Sequence, residues 1–464
     1  MKSIRIIFCV LFFAICAFPA VSMFFTKQDA SLERREKTEP PKLMENGEFN
    51  TKIGDQLESY ISENFGFRAE MVTANNGILS GVFGVSGEDK VIVGSDEWLF
   101  LEETSDDYQG INQLSDREIR NVSKTIRMIE DYVRENGLEF VFTVAPNKNT
   151  LYGEFMPYYY VDGENSNLNR LNSQFEEMGV SYIDLMFMLK ESYMSTPDDG
   201  TSLYHKRDTH WNNKGAFIAT NGILRKIGFD TIEKNFSWLE KRDYTGDLEA
   251  MIYPKSSYKD IQYYPDDMSV IEGFKFEKNR GNVEAQDFVT NSLVNKDGSI
   301  LFFRDSFANA IAPFLSTHVG NVRYQKYIPY QVNLIEREKY DAVVIEIAER
   351  NIPELLKSAP KIPAKLVTLS GNAISTTEPG FTFIKEKSGK YFMVTGEVDK
   401  KLIDVNSDIY FLVENSSSTY VFEAFSIKET GFSSMIEENL IEENAKIKVV
   451  IKNGDELNIL ENSK

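Results

Sequence analysis

Cysteine and histidine are scarce in this sequence. The chain of 464 residues contains two cysteines, Cys9 and Cys16, and both precede residue 20. The rest of the chain can therefore form neither a disulfide framework nor a thiolate metal cluster. The three histidines, His205, His210 and His318, are too few to favour a site with several histidine ligands. The sequence thus predicts no metal site, and we expect no cofactor.

Positive charge is also in short supply. Lysine and arginine total 51 against 71 aspartates and glutamates, so the formal net charge is −20 at pH 7. Such an acidic surface repels the phosphate backbone of nucleic acid and disfavours broad docking on anionic lipid. Apolar residues make up 42% of the chain, which is enough to build sizeable cores and excludes global disorder. The length exceeds one ordinary domain of ~100–200 residues, and we expect two or three domains.

Charged residues are absent from residues 6–25, near the N-terminus. Lys2 and Arg5 precede this run, and Lys27 begins a charged stretch after it. A helix of ~20 residues, rising ~1.5 Å per residue, just spans a ~30 Å hydrocarbon layer, and its basic flank stays inside the cell. We interpret residues 1–25 as a signal anchor that places the rest of the chain outside the membrane. The alternatives are a secretion signal cleaved near Ser22 and a buried helix of a soluble protein.

The remaining chain divides into three parts by its pattern of apolar residues. Residues 26–104 are a charged stalk followed by an N-terminal extension. Over residues 105–362, helical patterns alternate with short continuous apolar runs, which is typical of a parallel sheet flanked by helices. From about Pro363 the pattern is that of strands separated by glycine, asparagine and serine turns. We therefore expect an α/β domain over 105–362 and a small β-domain over 366–464.

The first candidate for chemistry is Ser306. It follows the apolar run 300–303 and precedes a helical pattern over 307–315. A serine at such a strand-to-helix turn has an exposed hydroxyl, and the free N–H groups and dipole of the helix stabilise a developing oxyanion. The alternative is that Asp305 or Ser306 only caps the helix.

The second candidate is the pair Asp208 and His210. A serine hydroxyl needs a base, and neutral imidazole is the best general base near pH 7. The imidazole in turn needs a carboxylate on its other nitrogen. Residues two apart in an extended segment lie on one side, so Asp208 and His210 can pair, whereas His205 and His318 have no carboxylate at such spacing. The alternative is a loop histidine before a helix that Asn212 caps.

The third candidate is Asn147, in the segment Pro146-Asn147-Lys148. It follows the apolar run 140–144, at the carboxyl end of a predicted strand, where the sites of α/β proteins form. An asparagine amide at that position could donate a hydrogen bond to an oxyanion. The alternative is an ordinary strand-to-loop turn.

These motifs, in this order, are similar to those of a known family. They resemble the permuted SGNH-hydrolase domain of AlgX- and AlgJ-like polysaccharide O-acetyltransferases, in the branch called DHHW. The matching pieces, over about residues 50–360, are Asp89 to Gly94, Trp98-Leu99-Phe100, Tyr108-Gln109-Gly110, Pro146-Asn147-Lys148, Asp208-Thr209-His210-Trp211, Gly246-Asp247-Leu248, Asp305-Ser306 and Glu349-Arg350-Asn351. Two positions depart from the family pattern, because Arg304 stands where glycine is common and Thr209 where many relatives carry histidine.

The resemblance implies a fold, site residues and partners. The fold is an SGNH-hydrolase-like parallel sheet flanked by helices, with the C-terminal β-domain in the place where AlgX-like proteins carry a carbohydrate-binding module. Ser306 would be the acyl-accepting nucleophile, His210 the base and Asp208 the orienting carboxylate. The acceptor would be a polysaccharide, and a multispanning membrane acyltransferase would supply the acetyl group.

The leading hypothesis is an O-acetyltransferase outside the cytoplasm, held by a single-pass N-terminal anchor. It would acylate hydroxyls of an exopolysaccharide or cell-wall polysaccharide through an acyl-serine intermediate. One alternative is a carbohydrate acetylesterase with the same three residues and water as acceptor. The other is a non-catalytic scaffold that binds polysaccharide. Transfer and hydrolysis use the same residues and differ in the exclusion of water, so the sequence does not separate them.

Overall fold

The computed structural model describes residues 2–23, 25, 39–45, 47–163, 165–195, 202–277 and 281–462. The helices are α1 Lys2–Ser22, α2 Ile53–Asn64, α3 Arg68–Phe83, α4 Ser105–Tyr108, α5 Asp116–Glu135, α6 Lys148–Leu151, α7 Asn167–Met178, α8 Leu185–Ser195, α9 Asn213–Lys226, α10 Asp247–Ile252, α11 Ser269–Glu272 and α12 Ala308–His318. The strands up to the end of the α/β domain are β1 Met44–Glu45, β2 Glu48–Phe49, β3 Val91–Val93, β4 Leu99–Leu101, β5 Glu139–Ala145, β6 Tyr182–Ile183, β7 Trp238–Tyr244, β8 Asp260–Pro265, β9 Phe274–Phe276, β10 Asp287–Ser292, β11 Ser299–Phe303, β12 Asn321–Gln325 and β13 Ala342–Ala348. The C-terminal strands are β14 Asn372–Ser388, β15 Tyr391–Val398, β16 Asp408–Glu414, β17 Thr419–Glu423, β18 Phe425–Ile427, β19 Gly431–Glu437, β20 Lys446–Asn453 and β21 Glu456–Asn462.

The central sheet has seven strands in the order β6-β5-β13-β11-β12-β10-β9. The first five run parallel to their neighbours, whereas β10 pairs antiparallel with both β12 and β9. Because the carboxyl ends of parallel strands meet at one edge of a sheet, the segments that follow β5, β11 and β13 come together there.

The parallel strands are buried on both faces, which explains their continuous apolar runs. Along β11, Ile300 and Phe302 pack in one hydrophobic cluster, and Leu301 and Phe303 pack in another. Helices α8, α9 and α12 contribute to the first cluster, and α5 and α7 contribute to the second. The sheet is therefore flanked by helices on both faces, and the predicted fold class is confirmed.

The β3–β4 hairpin packs into the α/β core, although it precedes the predicted domain boundary at residue 105. Trp98 and Phe100 are buried in the cluster that contains α9 and α12. The Trp98 ring also stacks on the Tyr152 ring with 4.5 Å between centroids. The sequence does not reveal this placement, because Tyr152 and the helices of this cluster lie about 50 residues or more from Trp98 along the chain.

An eight-stranded sheet forms the C-terminal region, in the order β17-β16-β20-β21-β14-β15-β19-β18. The predicted β-rich region after Pro363 is thus confirmed. The sheet docks on α5 through the buried guanidinium of Arg117, which donates to the carbonyl oxygens of Asp404, Ser407 and Glu429 at 2.7, 3.0 and 2.7 Å. Carbohydrate binding by this region stays a prediction.

Near the N-terminus, α1 covers most of the uncharged run. Within the described ranges, we find no helix that is both long and apolar enough to cross a membrane. The signal anchor expected over residues 1–25 stays a prediction. Residues 26–38 of the predicted stalk lie outside the described residues.

Candidate active site

Ser306 lies in the turn between β11 and α12, as the sequence predicts. The carboxylate of Asp305 holds this turn, since its Oδ1 accepts the N–H of Phe307 at 2.9 Å and its Oδ2 accepts the N–H of Ala348. The Ser306 hydroxyl is instead 2.8 Å from Nε2 of His210. No side chain caps the start of α12 among the described residues, so neither Asp305 nor Ser306 has the alternative role of a helix cap.

Asp208, His210 and Ser306 come together although 96 residues separate the histidine from the serine. Nδ1 of His210 is 2.7 Å from Oδ1 of Asp208, and the backbone N–H of His210 donates to the same oxygen at 2.8 Å. The imidazole therefore links a buried carboxylate on one side to a hydroxyl on the other. This arrangement can pass the serine proton to Nε2 while the carboxylate fixes the tautomer of the ring.

Asp208 and His210 each stabilise the charged form of the other. Burial disfavours a charged imidazole, but the Asp208 carboxylate and its hydrogen bond outweigh burial and raise the pKa of His210 above its ordinary value. Burial alone would raise the pKa of Asp208, but the facing His210 lowers it far below the usual range. Asp208 is therefore ionised at neutral pH, and His210 is a stronger base than free histidine.

Turnover of an acetyl ester should fall as the pH is lowered through a pKa above the ordinary histidine value of ~6.5. His210 must be neutral to accept the serine proton, and its raised pKa keeps it charged up to a higher pH than free histidine. The dependence of kcat/KM on pH measures the pKa of the free enzyme. An acid limb at or below ~6.5 in the parent enzyme would contradict this expectation.

A cavity of about 460 Å³ opens beside Ser306. Its wall combines the site residues with the β7–β8 hairpin and the start of α12, and it is lined by His205, Asp208, His210, Trp211, Asn213, Tyr244, Asp247, Gln262, Glu284, Ser306, Phe307, Asn309, Ala310, Pro313 and Lys326. Most of these side chains are polar or aromatic, a combination that suits a hydroxyl-rich ligand.

The backbone N–H of Ser306 is the donor best placed for an oxyanion. It lies just before α12 and has no hydrogen-bond partner within the part of the chain that the structure describes. A free N–H beside the nucleophile and at a helix start stabilises negative charge on a reacting carbonyl oxygen.

Asn147, the third candidate, does not line this cavity. Its side-chain amide donates to Oδ2 of buried Asp107 at 3.2 Å, and its backbone N–H donates to Oε2 of Glu349 at 2.8 Å. These contacts join the ends of β5 and β13 to α4. The role of Asn147 toward an oxyanion stays a prediction.

Arg304 shows why the turn does not need the glycine that is common in the family. No residue from Arg304 to Ser306 has a positive φ, so a side chain at position 304 causes no backbone strain. The buried guanidinium donates to the carbonyl oxygens of Val283 and Ala285 and so holds the neighbouring loop.

Lys148 also belongs to the site. It is part of the segment Pro146-Asn147-Lys148, but its role was not predicted from the sequence. Its buried amine donates to the carbonyl oxygens of His205, Lys206 and Asp208 at 3.2, 2.9 and 2.6 Å. Burial lowers the pKa of Lys148 to about 8. Lys148 thus fixes the loop that carries Asp208 and His210. A lysine directly after the strand-end asparagine was the available signal, but its carbonyl partners could not be read from the sequence.

Replacing Lys148 with methionine should lower the free energy of unfolding by about 2–4 kcal/mol, because three buried carbonyl oxygens lose a charged donor. Ester turnover should fall as well, because the loop loses its anchor. Denaturant unfolding and kcat/KM measure the two effects. Lys206→Met is the matched control, since that amine lies on the same loop but bonds the carbonyl of Asp96 at the surface. Equal effects in the two variants would contradict the anchoring role.

Asp208, His210 and Asp247 are close enough to be considered as a metal site, since one ligand atom from each lies within 4.8 Å of the others. Their atoms, however, are already bonded to each other and to backbone N–H groups. Oδ2 of Asp208 accepts from Asp247, and both oxygens of Asp247 accept from Thr209. The cluster therefore fits a hydrogen-bond network better than a cation.

A family model and several relatives match part of this chain. Residues 91–282 match the family model described as SGNH hydrolase-like domain, acetyltransferase AlgX. This part of the chain resembles an AlgX-type SGNH hydrolase-like domain. The match to the AlgX domain includes Asp208 and His210 and ends before Ser306. The resemblance inferred from the motifs is confirmed.

Two curated relatives resemble parts of this chain. A probable alginate O-acetylase AlgJ of Pseudomonas putida is 24% identical over 142 residues, which is 30% of this chain and 34% of the relative. A protein with the same description from Pseudomonas syringae pv. tomato is 22% identical over 193 residues, which is 39% of this chain and 46% of the relative. The chain thus spans between about a third and a half of the length of these relatives.

Solved structures also resemble this chain in part. PatB1 of Bacillus cereus is 18% identical with a TM-score of 0.44, and the likeness covers 56% of this chain and 96% of PatB1. The O-acetyltransferase domain of Pseudomonas putida AlgJ is 17% identical with a TM-score of 0.38, covering 57% of this chain and 92% of that domain.

Proposed function

We propose that this protein is an O-acetyltransferase that acylates hydroxyls of an extracellular or cell-wall polysaccharide through Ser306. The observation that carries the proposal is the 2.8 Å contact between Nε2 of His210 and the Ser306 hydroxyl, with Asp208 2.7 Å from the other ring nitrogen. The AlgX-type domain and the relatives described as alginate O-acetylases support acetyl as the group transferred.

The first half-reaction loads the acetyl group. The Ser306 oxygen attacks the carbonyl carbon of an acetyl donor while Nε2 of His210 takes the hydroxyl proton. The oxyanion that forms accepts a hydrogen bond from the Ser306 N–H. When the tetrahedral species collapses, the bond to the donor's leaving group breaks, and that group takes the proton from His210. The result is an acetyl ester on Ser306 and a neutral imidazole.

The second half-reaction transfers the acetyl group. A sugar hydroxyl in the cavity loses its proton to His210 and attacks the acetyl carbonyl. The bond to the Ser306 oxygen then breaks, and that oxygen takes the proton back. Two easier acyl transfers replace one difficult transfer, and Asp208 stabilises the imidazolium in both.

The acetyl donor in this proposal is a multispanning membrane acyltransferase that delivers acetyl groups across the bilayer. A location outside the cytoplasm, with residues 6–25 as the anchor, would place the active site beside this donor. Deleting the donor's gene should leave the polysaccharide unacetylated although this protein is still produced. Unchanged polysaccharide acetylation in that strain would remove the donor from the proposal.

A carbohydrate acetylesterase with the same three residues is the second candidate, because water can replace the sugar hydroxyl in the second half-reaction. Mass spectrometry of products from an acetyl ester and oligosaccharide acceptors separates the two. Transfer predicts acetylated oligosaccharide that increases with acceptor concentration, at the expense of free acetate. Free acetate alone, at a rate independent of every acceptor tested, would favour the esterase. No turnover would favour a binding scaffold.

A further inference from the structure

A second carboxylate lies beside His210, on the same side as Asp208. Asp247 is buried at the start of α10, and its Oδ2 is 3.7 Å from Nδ1 of His210. The hydroxyl of Thr209 lies between these two groups, 2.6 Å from Oδ2 of Asp247 and 3.0 Å from Nδ1 of His210. A serine–histidine–aspartate arrangement does not require either Thr209 or Asp247.

The direction of these hydrogen bonds follows from the groups involved. An ionised carboxylate only accepts, so the single hydroxyl hydrogen of Thr209 must point to Asp247. A lone pair of the Thr209 oxygen then faces His210. The Nδ1 hydrogen of His210 is therefore shared between Oδ1 of Asp208 and the Thr209 oxygen. This second contact favours the tautomer that leaves Nε2 free to accept the Ser306 proton.

Asp247 is itself held firmly. Its Oδ1 accepts the backbone N–H groups of Thr209 and Leu248, each at 2.8 Å, and its own N–H donates to Oδ2 of Asp208 at 2.7 Å. The adjacent Gly246 allows this approach, because a Cβ there would lie 2.0 Å from the carbonyl oxygen of Arg207. Backbone N–H groups thus connect the segment of Asp208 to that of Asp247.

We propose that Thr209 and Asp247 are positioning residues that hold the tautomer and orientation of His210 through a second hydrogen-bonded arm. The inference rests on the proposed acyl transfer through Ser306. It also assigns a role to Thr209, which stands where many relatives carry histidine.

The charged groups around His210 determine how the arm affects titration. Asp208 and Asp247 both raise the pKa of the imidazole, whereas burial and the Arg350 guanidinium lower it. Lys148 faces the two carboxylates from the end of β5. Removing the charge of Asp247 should therefore lower the pKa of His210, while Asp208 remains the larger influence.

Asp247→Asn should lower kcat about tenfold and move the acid limb of the pH profile to lower pH. The asparagine amide can present N–H to the Thr209 oxygen, so the hydroxyl hydrogen would turn toward the Nδ1 hydrogen of His210. The Thr209 hydroxyl then repels the imidazole N–H instead of accepting a hydrogen bond from it. A merely structural role for Asp247 would lower the melting temperature and leave the pH profile of the remaining activity unchanged, which would overturn the proposal.

Variants at Thr209 test the arm without changing any charge. Thr209→Val keeps the shape and removes the hydroxyl, and we expect about a tenfold loss of kcat. Thr209→Ser keeps the hydroxyl and should retain most of the activity. Thr220→Val is the matched control, because Thr220 is buried in α9 and its hydroxyl bonds only the carbonyl of Ala216 at 2.7 Å among the described residues. Equal activity of the valine and serine variants at position 209 would overturn the proposal.

Titration of the imidazole by NMR separates this inference from the proposed function, because it requires no turnover. The chain has three histidines, and burial lowers the pKa of His205 and of His318. The raised pKa of His210 therefore distinguishes its signal. A lower His210 pKa in Asp247→Asn supports the arm even if acyl transfer is absent. A parent-like titration in Asp247→Asn contradicts the arm even if Ser306 proves to be the nucleophile.

Discussion

Ser306→Ala is expected to abolish acyl transfer while the protein stays folded. The serine oxygen is the atom that carries the acetyl group in the proposed reaction, and it lies 2.8 Å from Nε2 of His210. The Ser306 side chain contributes little to stability, because it does not cap α12 and the turn is held by the bond from the Phe307 N–H to Asp305. Loss of a turn hydroxyl costs about 1–2 kcal/mol at most. Turnover of a surrogate acetyl ester and a melting curve measure the two properties.

The control for this substitution is Ser299→Ala at the other end of β11. The Ser299 hydroxyl bonds the carbonyl of Lys339 near the surface, at 3.3 Å, and takes no part in the site. Its variant should keep the parent rate. If Ser306→Ala also keeps the parent rate, Ser306 is not the nucleophile. Mass spectrometry of the quenched parent enzyme should in addition find the acetyl group on the peptide that contains Ser306.

Asp208→Asn should cost about four orders of magnitude in kcat while His210 remains in place. An asparagine amide facing Nδ1 presents a hydrogen where the imidazole also carries one. The ring then favours the tautomer with its hydrogen on Nε2, which faces Ser306 and cannot accept the serine proton. Because Asp208 also accepts two backbone N–H groups, from His210 and Asp247, we expect a lower melting temperature too.

Asp184→Asn is the matched control for the carboxylate, since the side chain of Asp184 accepts the N–H of Phe187 at the start of α8 and lies outside the site. That variant should lose a little stability and no activity. The size of the loss in Asp208→Asn decides between the hypotheses. A loss of less than about tenfold would mean that His210 does not depend on Asp208 for its tautomer, and the proposed mechanism would fail.

The sequence predicted those features that depend on local pattern. Continuous apolar runs identified the buried strands, and the turn after β11 placed Ser306 correctly. The pairing of Asp208 with His210 followed from their spacing of two residues. Their approach to Ser306 was predictable because parallel strands bring their carboxyl ends to one edge of the sheet.

The features that the sequence could not supply depend on tertiary contacts. The carbonyl partners of Lys148 lie on a loop about 60 residues away. The hydrogen-bonded arm from His210 to Asp247 forms only because α10 packs against the loop 205–210. The pattern of apolar residues in the sequence does not predict this packing. The hydrogen bond from the Asn147 amide to Asp107 is a further contact that the sequence does not indicate, and the role of Asn147 toward an oxyanion stays a prediction. Polar contacts of this kind are fixed by the fold and leave no pattern in the sequence.

The indole N–H of buried Trp211 donates to the carbonyl of Phe307 at 3.0 Å and so joins the histidine segment to the serine segment directly. These two segments meet by closing a loop of 96 residues, which carries a large entropic cost compared with a local turn. The catalytic arrangement therefore cannot form in a partly folded chain that has only its local helices and hairpins. During refolding, the proposed acyl-transfer activity should therefore appear late, after the helices and hairpins have formed.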